Sequence, residues 1–182
     1  FGESYEAKPG DEGWRIEEWQ AFGWLHEREV FVCGGPIGLH SRLFAGFQGL
    51  QEIIGLEGLE VGDCRDRSGL FEGCAFLQRL ELNGWNTGKV RCFRGLFRGC
   101  HLLERVELGG WDLSAAEDLS GLFEDCISLK QADVSRWNVE KVEDFSRMFA
   151  NCPSLRQVDV RDWRTDSAKD LSGLFQGCLG LE

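Results

Sequence analysis

Residues 122–163, LFEDCISLKQADVSRWNVEKVEDFSRMFANCPSLRQVDVRDW, contain almost the same pattern twice. Each copy has a Leu-Phe or Met-Phe pair, a cysteine three residues after the Phe, then spaced apolar residues and a tryptophan. The pair recurs every 26 residues after a first interval of 27, whose extra residue the spacing places between Leu50 and Ile54. The pairs begin at Leu43, Leu70, Leu96, Leu122, Met148 and Leu174. This period indicates an array of repeats that bury their apolar residues against their neighbours.

Two apolar spacings alternate within each unit. The first, as in Leu77, Leu80 and Leu82, ends in the alternation of a short half-buried strand. The second has offsets of three and four, which predict a helix of about two to three turns. One such set is Val142, Phe145, Met148, Phe149 and Cys152. Together they predict an α/β solenoid of strand-helix units, with strands on one wall and helices on the other.

The residue before each repeated cysteine is a glycine, an aspartate or an asparagine. These residue types tolerate the left-handed backbone conformation that ends a helix. The column consists of Gly73, Gly99, Asp125, Asn151 and Gly177. It is therefore predicted to cap the helices rather than to carry a function.

The first part of the chain departs from the period. Residues 1–42 are predicted to form an N-terminal cap, because three tryptophans and a phenylalanine at positions 14–24 could cover the first repeat. Within the cap, residues 30–32 are predicted to form a strand. The repeat array occupies residues 43–182, with about four complete repeats and partial ones. Because it stops partway through a repeat, we expect an array truncated at its C-terminal end.

The unit L-F-x-G-C-x-x-L-x-x-L-x-L-x-x-W-[ND] occurs at residues 70–86 and, with Val106 in place of one leucine, at residues 96–112. It resembles the BspA-like leucine-rich repeats of bacterial surface proteins and lipoproteins, most closely at residues 144–163. The resemblance covers about residues 43–182 and implies a right-handed leucine-rich-repeat solenoid without enzymatic activity. It also implies adhesion or recognition at the cell surface or in a secreted protein, while a cytoplasmic location stays open.

The composition argues against several classes of function. The chain has 20 Lys and Arg against 31 Asp and Glu, a formal charge of −11, so its field repels nucleic acid and anionic lipid. No apolar run approaches the roughly 20 residues of a spanning helix, and we expect no membrane insertion by this segment. Phosphate-loop, G-x-S-x-G, H-E-x-x-H and calcium-loop motifs are absent from the sequence. We therefore predict no enzymatic activity, no cofactor and no metal.

The eight cysteines allow a disulfide framework, a metal site or buried thiols. No C-x-x-C occurs, and the three histidines have no ligand spacing to one another or to cysteine. Five cysteines occupy one repeat column, where a buried thiol behaves as a small apolar group. They are Cys74, Cys100, Cys126, Cys152 and Cys178. This arrangement favours free buried thiols.

The tryptophans of the repeats form a second column, with Leu59 in the equivalent position of the first repeat. They could be exposed platforms for sugar rings or a ladder packed between repeats. An aliphatic residue in the same position favours packing. The column consists of Trp85, Trp111, Trp137 and Trp163.

The strand wall offers the candidate binding surface. Outward positions form one row of arginine and glutamine and a second row that is entirely acidic. The candidate binding residues are Arg79, Glu81, Arg105, Glu107, Asp133 and Asp159. Their rows could be a solvated face or could bind a protein partner with a basic or polar surface.

We therefore predict a non-enzymatic module for protein-protein or cell-surface recognition through the strand wall. A structural spacer within a longer chain is the alternative, and a carbohydrate-binding module would need the tryptophan column exposed. On the other wall, Glu72, Arg98 and Glu124 alternate in sign in one column and are predicted to pair across repeats.

Overall fold

A computed structural model describes residues 29–31, 41–54, 65–82 and 84–182. Within these ranges the strands are β1 (Glu29–Phe31), β2 (Glu52–Ile54), β3 (Arg79–Leu80), β4 (Arg105–Val106) and β5 (Gln131–Ala132). The first three form one parallel sheet in the order β1-β2-β3, and β4 pairs with β5 in a second parallel sheet. In the second sheet each residue lies opposite the residue 26 positions later, as Arg105 does with Gln131. Equivalent positions therefore stack, and the predicted repeat solenoid is confirmed.

The strand predicted at residues 30–32 is observed one residue earlier, as β1. Apart from β1 and residues 41–42, the predicted cap lies outside the described residues, and the cap remains a prediction. Leu59 in the tryptophan column also lies outside them.

The first interval differs from the prediction. Ile53 pairs with Leu80, so the offset of 27 residues still holds there, and the extra residue comes after Ile53. The predicted placement between Leu50 and Ile54 is wrong. Moving the register by one residue would exchange the two faces of β2. Because Ile53 and Ile54 are both apolar, the sequence pattern could not distinguish the two registers.

The predicted helices are replaced by consecutive turns, and the described residues contain no α-helix. In one repeat, the N–H groups of Gly69 and Phe71 donate to carbonyl groups of the next repeat, at 2.8 and 2.9 Å. These N–H groups cannot also donate to the carbonyl four residues earlier, as a helix requires. Between them, Leu70 donates to the carbonyl three residues before it, at 3.3 Å. The strand-helix unit is therefore a strand-turn unit in the described part of the chain.

The turns have two left-handed positions in each repeat. Gly69 has φ 58° and Gly73 has φ 75°, and each is the third residue of a turn closed by such a bond. A positive φ at this position is the signature of a type II turn. The left-handed conformation predicted before each cysteine is confirmed, but it belongs to a turn and not to a helix end. The other column was not predicted, and in two repeats it contains an arginine, Arg42 with φ 64° and Arg147 with φ 56°.

Stacked aromatic columns run through the core. The phenylalanine of each Leu-Phe pair stacks on its counterpart in the next repeat, with ring centroids 5.3 to 5.7 Å apart. This column consists of Phe44, Phe71, Phe97, Phe123, Phe149 and Phe175. Leucine and cysteine columns beside it are also buried. Identical side chains thus occupy equivalent positions in successive repeats. Their stacking keeps the strands of neighbouring repeats in register.

Candidate functional site

The strand wall exposes alternate side chains. Leu80 and Leu82 are buried, whereas Arg79, just before them, and Glu81, between them, are exposed. The same alternation recurs one repeat later with Arg105 and Glu107. Asp133 is also exposed, and Asp159 is half-buried. The predicted outward direction of all six candidate residues thus agrees with their positions, and their role in binding remains a prediction.

An open groove of about 950 Å³ runs along this wall. It brings together four of the six candidates, namely Arg79, Glu81, Arg105 and Glu107. Asp133 and Asp159 lie outside its lining. Other lining residues include Glu52, Glu104 and Leu102. Because the lining includes four glutamates and two arginines, the groove is acidic.

The acidic row differs in how its charges are balanced. Asp159 forms a bidentate ion pair with Arg161, at 2.7 and 2.9 Å, which lowers the pKa of Asp159 to about 2. Asp133 accepts a hydrogen bond from the Ser135 hydroxyl at 2.9 Å. Glu81 and Glu107 make no ion pair with any residue that the structure describes. Three carboxylates of the row therefore remain without a cation within this part of the chain.

The opposite wall, made of the turns, has its charges paired between repeats. Arg42 pairs with Glu72 at 2.7 Å, and Arg94 pairs with Asp118 at 2.8 Å. Two further pairs are Arg91 with Glu117 at 3.4 Å and Lys169 with Glu143 at 2.8 Å. Each pair joins neighbouring repeats, so the charges of this wall are used within the protein.

The pairing predicted for the column of alternating sign is partly observed. Arg98 pairs with Glu124 at 3.2 Å, whereas Glu72 pairs with Arg42. Glu124 is buried and also pairs with Arg147 from the following repeat. Spacing alone could not predict this second arginine, because it comes from the unpredicted left-handed column.

Buried thiols occupy the cysteine column at Cys74, Cys100, Cys126 and Cys152, as predicted, whereas Cys178 is partly buried. Each donates a hydrogen bond to the phenylalanine carbonyl of the preceding repeat, for example Cys126 to Phe97 at 3.0 Å. Burial raises the pKa of Cys74 and of Cys152 to about 12. A thiol with such a pKa is a poor nucleophile and metal ligand at neutral pH. Cys33 and Cys64 lie outside the described residues.

Packing accounts for the tryptophan column. Trp85, Trp111 and Trp137 are buried, and successive rings from Trp85 to Trp163 stack at 6.2 to 6.4 Å. The Trp137 indole N–H donates to the Leu108 carbonyl at 3.1 Å. Because both faces of Trp111 and Trp137 are covered by neighbouring rings, these tryptophans cannot stack on a sugar ring. The packing interpretation is confirmed for the described tryptophans.

One feature of the wall escaped the sequence reasoning. Phe76, Leu102 and Ile127 follow the repeated cysteines by one or two residues, and all three are exposed. Their apolar character could have indicated them, but the predicted strand pattern began only at the next leucine. We call this set the apolar edge of the strand wall.

Two other kinds of site are absent from the residues that the structure describes. Within the described ranges, no group of three or more His, Cys, Asp or Glu side chains could hold a metal ion. No helix in the part of the chain that the structure describes is long and apolar enough to cross a membrane.

The comparisons with known proteins concern the repeat region. Residues 65–182 match the family described as "Mycoplasma protein of unknown function, DUF285". No curated protein matches the chain.

Two similar solved structures have low sequence identity. A leucine-rich-repeat protein of T. pallidum is 19% identical, with a TM-score of 0.45, over 85% of this chain and 71% of that one. A leucine-rich-repeat protein from Bacteroides ovatus is 18% identical, with a TM-score of 0.41, over 85% of this chain and 47% of that one.

Proposed function

The chain belongs to the DUF285 family, and we propose that it is a non-enzymatic module that recognises a basic segment of a partner protein through its strand wall. The observation that carries the proposal is the contrast between the acidic row and the ion pairs that join repeats elsewhere. Such pairs occur on the turn wall and also on the strand wall, where Arg79 pairs with Glu52 at 3.9 Å and Lys130 with Glu104 at 2.7 Å. Charges on the turn wall pair between repeats, whereas Glu81 and Glu107 have no cation among the described residues. Asp133 adds a third carboxylate to the same row.

Electrostatics supports a basic partner. Neighbouring strands lie about 4.8 Å apart, so carboxylates in one row repel one another by roughly 1 kcal/mol or less in water. A bound basic segment would remove this repulsion. The row is held on a hydrogen-bonded backbone, so little conformational entropy is lost when a partner binds. Its field would also accelerate encounter with a cationic partner and would be screened by salt.

The test measures the binding of a fluorescein-labelled peptide, made of lysine, glycine and serine, to the 182-residue chain. We expect fluorescence anisotropy to show binding that weakens as salt rises from about 0.05 M to about 0.5 M, because the Debye length shortens. The triple variant Glu81→Gln, Glu107→Gln, Asp133→Asn should lose this binding and keep its thermal unfolding transition.

A matched variant controls for net charge. Glu117→Gln, Glu140→Gln and Glu143→Gln also remove three exposed carboxylates, but away from the strand wall. We expect this variant to bind the peptide as the parent does. If both triple variants lose affinity equally, the peptide responds only to net charge, and the strand wall is not its binding surface.

A structural spacer is the second candidate. The unbroken phenylalanine stack supports it, because repeats that are packed alike form a stiff rod. A chain that binds no basic peptide and whose wall tolerates the triple substitution would favour the spacer.

The proposal includes a cell-surface location, which follows from the resemblance to surface proteins. Protease treatment of intact cells of the source organism should then remove the epitope of an antibody raised against the repeats. Protection until the cells are lysed would contradict this location.

A further inference from the structure

The apolar edge and the acidic row border the same wall. Phe76 is 51% exposed, Leu102 36% and Ile127 46%. Leu102 lines the acidic groove together with Glu81 and Glu107. Phe76 and Ile127 lie outside the lining of the groove. A partner in the groove therefore contacts Leu102 and these carboxylates, and it reaches the rest of the apolar edge only by lying along the wall.

The order of residues fixes the width of this surface. In the first complete repeat, the exposed side chains follow the order Phe76, Gln78, Arg79 and Glu81. Glu81 comes five residues after Phe76, so the distance between the apolar edge and the acidic row is at most about 17 Å, at roughly 3.3 Å per residue. An α-helix with its side chains is about 10–12 Å in diameter. One helix fits between the two borders, with lysine side chains long enough to reach the row.

The spacing along the solenoid favours a helix over an extended segment. Equivalent wall residues, such as Glu81, Glu107 and Asp133, recur about every 4.8 Å, the distance between strands. On the apolar edge Phe76 and Leu102 are equivalent, whereas Ile127 lies one position earlier in its repeat. A helix parallel to the solenoid axis presents one residue per turn about every 5.4 Å. Over three repeats, its mismatch with the wall reaches only about 1 Å. An extended segment presents residues on one side about every 6.7 Å, and its mismatch reaches roughly 4 Å.

Charge excludes two other occupants. A second copy of this chain also carries a formal charge of −11 and would be repelled. An anionic lipid surface would be repelled by the carboxylates for the same reason. A segment with one apolar side and one basic side complements both borders.

We propose that the strand wall, including the groove, binds a cationic amphipathic helix of a partner protein, parallel to the solenoid axis. Its apolar side contacts Phe76, Leu102 and Ile127, and its lysines or arginines contact Glu81, Glu107 and Asp133. This inference rests on the proposed function and adds the form of the partner segment.

The test uses labelled synthetic peptides of about 14 residues, roughly four helical turns. One peptide places leucine and lysine on opposite sides of a helix. A second has the same composition in strict alternation, the period of a strand, and a third has it scrambled. Fluorescence anisotropy measures the affinity of each for the full chain. We expect the helical peptide to bind about tenfold more tightly than the other two, and circular dichroism to show helix formation on binding.

Two sets of substitutions separate the contributions of the two borders. Phe76→Ser, Leu102→Ser and Ile127→Ser should weaken the helical peptide about tenfold and leave its salt dependence in place. The charge variant Glu81→Gln, Glu107→Gln, Asp133→Asn should weaken all three peptides and flatten the salt dependence. Leu171→Ser, at an exposed apolar position that does not follow a repeated cysteine, is the control and should leave peptide binding unchanged. Thermal unfolding of each variant verifies that it is folded.

The outcomes distinguish this inference from the proposed function. Equal affinity for the three peptides, or an apolar variant that binds like the parent, overturns the helix inference. If the charge variant still loses binding in that case, the basic partner stands. If the charge variant binds like the parent, the proposed function falls as well.

Discussion

Replacing Phe97 by alanine tests the assignment of core and surface columns. Phe97 is fully buried and stacks on Phe71 at 5.7 Å and on Phe123 at 5.3 Å. Removing the ring exposes roughly 150 Å² less apolar surface on unfolding, which corresponds to about 4 kcal/mol at about 25 cal/mol/Å². This value lies within the range of about 3–5 kcal/mol measured for buried phenylalanines in other proteins. We therefore expect a loss of about 4 kcal/mol.

Urea unfolding followed by tryptophan fluorescence measures this loss. With a slope of about 2 kcal/mol per molar, the midpoint should fall by about 2 M. Phe76→Ala is the matched control, because Phe76 is 51% exposed. About half of its surface is buried and no closed cavity forms, so it should cost only about 1–2 kcal/mol. Equal losses for the two variants would refute the assignment of the phenylalanine column to the core.

Three other predictions concern the turns and the thiols. Arg147→Gly and Arg147→Ala both remove the ion pair with Glu124, but only alanine keeps a side chain at a left-handed position. The glycine variant should therefore be more stable by about 1 kcal/mol. Equal urea midpoints for the two variants would contradict this. Burial raises the pKa of Cys74 from 9.0 to about 12, so the folded state holds a proton that the unfolded state loses, and stability should fall as pH rises from about 9 towards about 12. A urea midpoint at pH 10 equal to that at pH 7 would show that the thiols do not contribute. Alkylation in denaturant without reductant should modify all eight cysteines, as measured by mass spectrometry, and any cysteine that needs reductant would reveal a disulfide. In the native chain, Cys92 should be alkylated before Cys126, because Cys92 is only half-buried.

The sequence also indicated which columns face outward, but not how their charges pair. Alternation around Leu80 and Leu82 placed Arg79 and Glu81 on the surface, as the structure has them. The partners of Glu124 depended on the left-handed residue Arg147, whose position follows from the turns. The contrast between the paired turn wall and the unpaired acidic row therefore required tertiary structure.

The 26-residue period by itself determined that equivalent residues stack, because a unit this short buries its apolar side only against a copy of itself. That principle was sufficient to place the cysteine and tryptophan columns in the core. Tertiary structure alone decided that the segment before each cysteine forms turns and not a helix. Turns with left-handed residues four positions apart, such as Gly69 and Gly73, give the same apolar offsets of three and four as a helix. What separates the two is whether a backbone N–H such as that of Phe71 bonds within its own repeat or to the next one, and that choice exists only once the neighbouring repeat is in place.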